Sequence, residues 1–160
     1  MVTKTEFSEQ EWEGLLLTPV LAGMYIILSD MSVTAVPSEM KGLMNAMLNQ
    51  LVPAEADELI SALVADYKQK AQNKEQLEPL SFEKNEDTLR QMLEKLQDNL
   101  AVLDEKAKPE EKAAFCSWLV GLAQATAEAG REGGFLGIGS VRVSEQEQAA
   151  LAELKTALGV

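Results

Sequence analysis

Residues 7–30 read FSEQEWEGLLLTPVLAGMYIILSD, and this stretch decides the fold class. Ser8 followed three residues later by Glu11 is the pattern of a helix capping box, and Phe7 can pack on Trp12 as a hydrophobic staple. Apolar residues then recur at helical spacing: Trp12, Leu15, Leu16, Val20, Met24, Ile27 and Leu28. The pattern predicts one long helix over this stretch, kinked at its single proline because proline removes a backbone donor.

Five further segments have the same apolar spacing and recognisable starts. They begin at Pro37 or Ser38, at Pro53, near Leu89, at Pro109 and at Ser144. Proline suits the first turn of a helix, and the last start has a second capping box in which Glu147 follows three residues after the serine. Strong helix formers dominate the composition and runs of β-branched residues are nearly absent. The sequence therefore predicts an all-α fold, a compact bundle of about six helices in a single domain over residues 1–160.

The charge of the chain excludes several classes of partner. The 160 residues have a formal net charge of −12, and residues 1–67 hold ten carboxylates against two lysines. Such a surface repels phosphate backbones and anionic lipid, so we expect no nucleic acid partner and no membrane insertion. Cations and basic protein surfaces remain open, and protein partners are expected. Self-association into a homodimer is left open.

Composition also limits the chemistry and indicates the compartment. The chain has no histidine, which removes every Ser-His and Cys-His nucleophile, and its one cysteine is Cys116. Large apolar neighbours predict that this thiol is buried and inert. The apolar run 15–28 is shorter than the roughly 20 residues that span a bilayer. It follows several glutamates, unlike the basic start of a signal peptide. We therefore expect a cytoplasmic protein.

Two parts of the chain share one order of features: an apolar helix, an acidic residue at its end, a loop, and a glutamate opening the next helix. The acids are Asp30 and Glu39 in the first unit, and Glu128 and Glu147 in the second. Clusters of oxygen ligands alone suit Ca²⁺ or Mg²⁺ rather than softer metals. The four residues are thus a candidate metal site. The sequence favours the plainer interpretation that they only cap helices and face solvent, since a negative charge is stabilised in a first helical turn.

The repeated unit resembles the tellurite-resistance TerB-like family. The likeness covers residues 7–51 and 113–158, and the opening FSEQEW over 7–12 is similar to that family's start. Family members follow the acid at the helix end with glycine and place a glutamate at the start of the next helix. Asp30 and Glu39 match this pattern, and Glu147 is close to the pattern of the second unit. Two departures are Met31 in place of glycine and Glu128 in place of aspartate.

The resemblance implies a TerB-like helical domain and a non-enzymatic stress-response protein, related to tellurite resistance, that acts as a binding or scaffold module. It also implies a divalent-cation site, which the departures predict to be weak. The alternative function is a small enzyme that uses paired carboxylates, with Asp30 or Glu128 as general base. No cofactor is required by either function beyond the Ca²⁺ or Mg²⁺ that the acids suit.

Two further features carry open alternatives. The glycine-rich residues 133–140, GGFLGIGS, do not follow a strand, which argues against a phosphate-binding loop. We expect their apolar side chains to fold back onto the bundle, the alternative being an exposed apolar finger for a partner. The row Met40, Met44 and Met47 is typical of a helix core, the alternative being an adaptable peptide-binding groove.

Overall fold

The computed structural model describes residues 1–30, 36–49, 52–73, 75, 87–132 and 143–160. These residues form seven α-helices and two one-turn 3₁₀ helices, Lys4–Glu6 and Ala54–Ala56, and contain no strand. The α-helices are α1 (Glu9–Ser29), α2 (Val36–Asn49), α3 (Asp57–Asn73), α4 (Thr88–Leu100), α5 (Val102–Lys106), α6 (Pro109–Glu132) and α7 (Glu145–Leu158). The all-α bundle is confirmed. Six helices are long, and α5 is a short continuation of α4 after an interruption at Ala101.

The helix starts form as their sequences predict. At the start of α1 the Ser8 N–H donates to Glu11 Oε2 at 2.6 Å, and the Glu11 N–H donates to Ser8 Oγ at 3.3 Å. The Phe7 and Trp12 rings lie 5.7 Å apart, which is the expected staple. Helix α1 continues through Pro19 to Ser29, and the proline is buried. The kink at the proline stays a prediction.

Helix α1 is the centre of the bundle. It contacts α2, α3, α4, α6 and α7, and most of its apolar residues are buried, although Leu28 near its end is exposed. By length and composition α1 is also the one described helix that passes as a membrane span, with a mean hydropathy of 1.5 over its most apolar window. The bundle buries 67% of that window. Burial of this kind is typical of a core helix, which accounts for the apolar composition of α1.

Helix α2 is held between α1 and α6 by glycines at both contacts. A Cβ atom added to Gly42 would lie 2.2 Å from Ala129 Cβ on α6, and one added to Gly23 on α1 would lie 2.3 Å from Leu43 Cδ2. Side chains at either position would force the helices apart, so glycine permits this close approach. The position of α2, and of the acidic residue near its start, is therefore fixed by packing along its length.

Some predictions differ from the structure or lie outside it. Helix α6 continues to Glu132, so Glu128 lies inside the helix and not at its end as the sequence pattern predicts. The apolar residues of the glycine-rich stretch, which we expect to fold back, lie outside the described residues. The row of methionines is split, because Met47 is buried while Met44 is 44% exposed.

The burial of Cys116 is confirmed, since this side chain is 1% exposed on α6, and burial raises the pKa of its thiol. We expect a thiol reagent to modify the native protein slowly, because the reactive thiolate is both disfavoured and covered. Modification becomes fast in denaturant. A chromogenic disulfide reagent, whose coloured product is followed with and without urea, measures both rates. Equal rates would contradict the burial of Cys116.

Candidate functional site: a cluster of three carboxylates

Three helix ends meet at a group of acidic side chains that we name the acidic cluster: Asp30, Glu39 and Glu147. Asp30 is the C-cap of α1, Glu39 lies in the first four residues of α2, and Glu147 lies in the first turn of α7. The negative charges of both other members act on the Glu39 carboxylate. The structure thus brings together three of the four acids that the sequence suggests as metal ligands.

Glu39 is the unusual member of the acidic cluster. Its side chain is only 5% exposed, and no described residue donates a hydrogen bond to it or pairs with it as a cation. Burial, followed by the charges of Glu147 and Asp30, raises the pKa of Glu39 to about 7. Removing a carboxylate from water disfavours its charged form, and nearby like charges add to the effect. Glu39 is therefore a buried acid that is poised between its two protonation states near neutral pH.

The other two members have different surroundings. Glu147 is 6% exposed, and its Oε2 accepts a hydrogen bond from the Ser144 N–H at 2.8 Å, as the capping box predicts. Asp30 is half-buried and takes part in further contacts. It lies at the negative end of the α1 dipole, whereas Glu39 and Glu147 lie near the positive ends of their helices. The capping box therefore gives the Glu147 carboxylate a hydrogen-bond donor. The Glu39 carboxylate has no donor among the described residues.

Glu128, the fourth candidate, has a different environment. It is exposed on α6, and its Oε1 accepts a hydrogen bond from Gln124 Nε2 at 2.9 Å. Its charge is not among those that raise the pKa of Glu39. The physical reason is the length of α6, which runs four residues beyond Glu128 to Glu132. The side chain is thus placed inside a helix, paired with a residue one turn away, instead of at a helix end.

The ligand atoms of the acidic cluster suit a hard cation such as Ca²⁺ or Mg²⁺, but they are not arranged around a common metal position. All its ligand atoms are oxygens, and the buried Glu39 carboxylate lacks a positive partner in the described chain. Among the described residues, however, no group of three or more acidic or cysteine side chains is already arranged to hold a metal ion. Ca²⁺ takes six to eight oxygens and Mg²⁺ six. Asp30, Glu39 and Glu147 would hold such an ion, with further oxygens needed.

A third buried carboxylate, outside the acidic cluster, was not predicted from the sequence. Glu111 is 4% exposed at the start of α6, and it accepts hydrogen bonds from the N–H groups of Val2 at 2.7 Å and Lys108 at 2.9 Å. Burial alone acts to raise the pKa of Glu111, but the two backbone donors and nearby positive charges outweigh it, so the net pKa is lowered. The signal in the sequence was an acid three residues after Lys108, where a helix start lacks internal partners. Glu111 is therefore a satisfied structural carboxylate.

A scan against protein-family models matched no family, and searches of curated proteins and of solved structures found no match. The resemblance to the TerB-like family therefore rests on the sequence pattern over residues 7–51 and 113–158. What the chain binds is to be inferred from the charges, burial and exposed surfaces of its own residues.

Proposed function

We propose that this chain is a non-enzymatic, cytoplasmic, TerB-like module of a stress response, which acts as a scaffold for protein partners. We further propose that its acidic cluster takes up Ca²⁺ or Mg²⁺ weakly. The observation that carries the cation proposal is Glu39, a carboxylate buried beside two others with no positive partner in the described chain. A divalent cation there would neutralise charges that otherwise repel one another in a region of low dielectric.

Protons compete with the cation for the same carboxylate. Because the pKa of Glu39 is raised to about 7, a falling pH places a proton on the group that the ion requires as an anion. Cation affinity should therefore weaken as the pH falls through 7. The site is expected to be weak even above this pH, with a dissociation constant of about 1 mM, because three carboxylates supply too few oxygens alone.

Unfolding experiments with added ion test the cation proposal. For a dissociation constant of about 1 mM, 10 mM Ca²⁺ or Mg²⁺ should raise the free energy of unfolding by about 1.4 kcal/mol at pH 8. Sodium chloride at matched ionic strength corrects for screening of the exposed acids. Asp30→Asn should abolish the rise, while Glu128→Gln, an exposed acid outside the cluster, should keep it. An unchanged stability with ion and with chelator, or an equal rise in both variants, would refute the site.

The enzyme alternative has one observation in its favour. A carboxylate with a pKa of about 7 suits a general base at neutral pH, and that carboxylate is Glu39 rather than Asp30 or Glu128. Scaffolding is nevertheless the better reading, since a side chain that is 5% exposed offers little access to a substrate. The interlocked contact of Gly42 with Ala129 also opposes movement of α2 to uncover it.

A further inference from the structure

The outward face of α2 differs in chemistry from the other helices. Its exposed side chains recur at helical spacing and form one continuous face, which we name the α2 face: Lys41, Met44, Asn45, Leu48 and Asn49. Met44 is 44% exposed and Leu48 is 42% exposed, one turn apart. Asn49 Nδ2 donates to Asn45 Oδ1 at 2.9 Å, so the two amides are joined along the rim. The two large apolar side chains of the face are thus exposed to solvent, and their neighbours on the face are two asparagines and one lysine.

The α2 face has no carboxylate, although the chain carries a net charge of −12. The only acid of α2 is Glu39, and it is buried. Every other described helix exposes at least one carboxylate: Glu9, Asp57, Glu94, Asp104, Glu110 and Glu145 are examples in chain order. The centres of protein interfaces are depleted in charge and enriched in methionine, and methionine adapts to the shape of what it contacts. The α2 face therefore has the composition of the centre of an interface.

We propose that the α2 face docks an amphipathic helix of a different protein, which carries two apolar residues one turn apart and a carboxylate positioned opposite Lys41. The proposal rests on the scaffold function proposed above and names the surface and the partner's chemistry. Met44 and Leu48 supply the apolar contact, in the manner of helices that present residues at i and i+4 to a groove. Lys41 supplies the charge that fixes the direction of the bound helix.

Charge complementarity separates this partner from a second copy of the chain. Two α2 faces in a symmetric antiparallel arrangement would bring Lys41 opposite Asn49, so the lysine would meet no carboxylate. Each copy also carries a net charge of −12 over the whole chain, and the repulsion between the two chains opposes association. A partner helix that has one acid opposite Lys41, and neutral or basic residues elsewhere, pairs with the lysine and is not repelled by the acidic chain.

Three synthetic helical peptides provide the test. Each has leucines one turn apart, and the position one turn before them is Glu, Gln or Lys. Titration into ¹⁵N-labelled protein should shift the amide signals of residues 41–49, with the Glu peptide binding about tenfold more tightly than the Lys peptide. Lys41→Glu should reverse that order. The double variant Met44→Ser and Leu48→Ser should weaken the Glu peptide about tenfold or more.

Leu28→Ser is the matched control, because Leu28 is a 41% exposed apolar residue on α1 outside the α2 face. It should leave peptide affinity unchanged, and all the variants should keep the unfolding midpoint of the parent since the altered side chains are exposed. Equal affinity for the three peptides, shifts away from residues 41–49, or no binding would overturn the proposal. Self-association that the double variant removes would assign the face to a second copy. Performing the titration with chelator present keeps this outcome independent of the cation proposal.

Discussion

Replacing Glu39 by Gln should stabilise the protein by about 3 kcal/mol at pH 8. The pKa of Glu39 is raised from 4.5 to about 7 in the fold, and each unit corresponds to about 1.36 kcal/mol between the two protonation states. The charged side chain is therefore penalised in the folded chain and not in the unfolded one. Gln keeps the shape of the side chain without its charge. Most substitutions of buried residues destabilise, so a gain of this size is a distinctive result.

The pH dependence of the gain follows from the sign of the pKa shift. A carboxyl group whose folded pKa lies above its unfolded value binds more protons in the fold, so stability falls as the pH rises between 4.5 and about 7. The advantage of Glu39→Gln should be near zero at pH 4.5 and complete at pH 8. Glu11, whose pKa is lowered to about 2 mainly by a hydrogen bond from Lys106, stabilises the fold above pH 4.5 and loses that contribution only as the pH falls below 4.5, so the pH-dependent ranges of the two groups do not overlap.

Urea unfolding at pH 5 and pH 8 measures this difference, with Glu128→Gln as the exposed control. The control removes one charge from the same acidic chain and should change stability by no more than about 0.5 kcal/mol at either pH. An advantage of Glu39→Gln that is equal at the two pH values would mean that Glu39 has an ordinary pKa. A loss of stability at pH 8 would mean that its charge has a donor that the described residues do not provide.

The same substitution at Glu111 should have the opposite effect, a loss of about 2 kcal/mol. Glu111 accepts from the N–H groups of Val2 and Lys108, and the buried contact with Val2 is 2.7 Å. Gln has one acceptor oxygen, so one backbone donor would face an N–H₂ group and lose its partner. An unsatisfied buried donor costs about 1–3 kcal/mol. The loss should shrink at low pH, where the wild-type carboxyl is itself protonated.

Glu110→Gln is the matched control for this second substitution, because Glu110 is the neighbouring residue in the same helical turn and is exposed. Its effect should stay within about 0.5 kcal/mol. Urea unfolding at pH 7 compares the two variants with the wild-type chain. Equal stabilities of the Glu110 and Glu111 variants would show that the Glu111 carboxylate does not hold the first residues against α6.

Local signals explain how much of the fold was predictable. Ser8 with Glu11 and Ser144 with Glu147 predicted helix starts because their partners lie within one turn, and both capping boxes form. The helical spacing of α1 predicted its core in part: Leu15 and Leu16 are buried, whereas Leu28, a member of the same apolar series, is 41% exposed. The end of α6 was missed: Glu128 was expected at a helix end, and the helix continues past it and past Gly130 to Glu132. Local preference is a weak constraint where packing extends a helix.

The acidic cluster was predictable in part, because local signals in the sequence mark the helix ends. Asp30, Glu39 and Glu147 could be placed at helix ends from the chain alone, and helix ends are what the bundle brings together. Glu39 lies on α2 within one turn of Gly42, which packs closely on Ala129 of α6, a residue far away in the sequence. Glu111 was missed because its donor on Val2 is 109 residues away along the chain. The burial of a charged group and the identity of its partners depend on tertiary contacts, so local sequence patterns do not predict them.

The most direct measurement of the central claim is a titration of ¹⁵N-labelled protein with Mn²⁺, followed by NMR. Mn²⁺ prefers the same carboxylate oxygens as Mg²⁺ and broadens amide signals close to where it binds. Binding at the acidic cluster predicts selective broadening near Asp30, Glu39 and Glu147 at pH 8, reversed by chelator, reduced at pH 6 and absent in Glu39→Gln. Broadening spread over exposed acids such as Glu9 and Glu128, and unchanged in that variant, would contradict it.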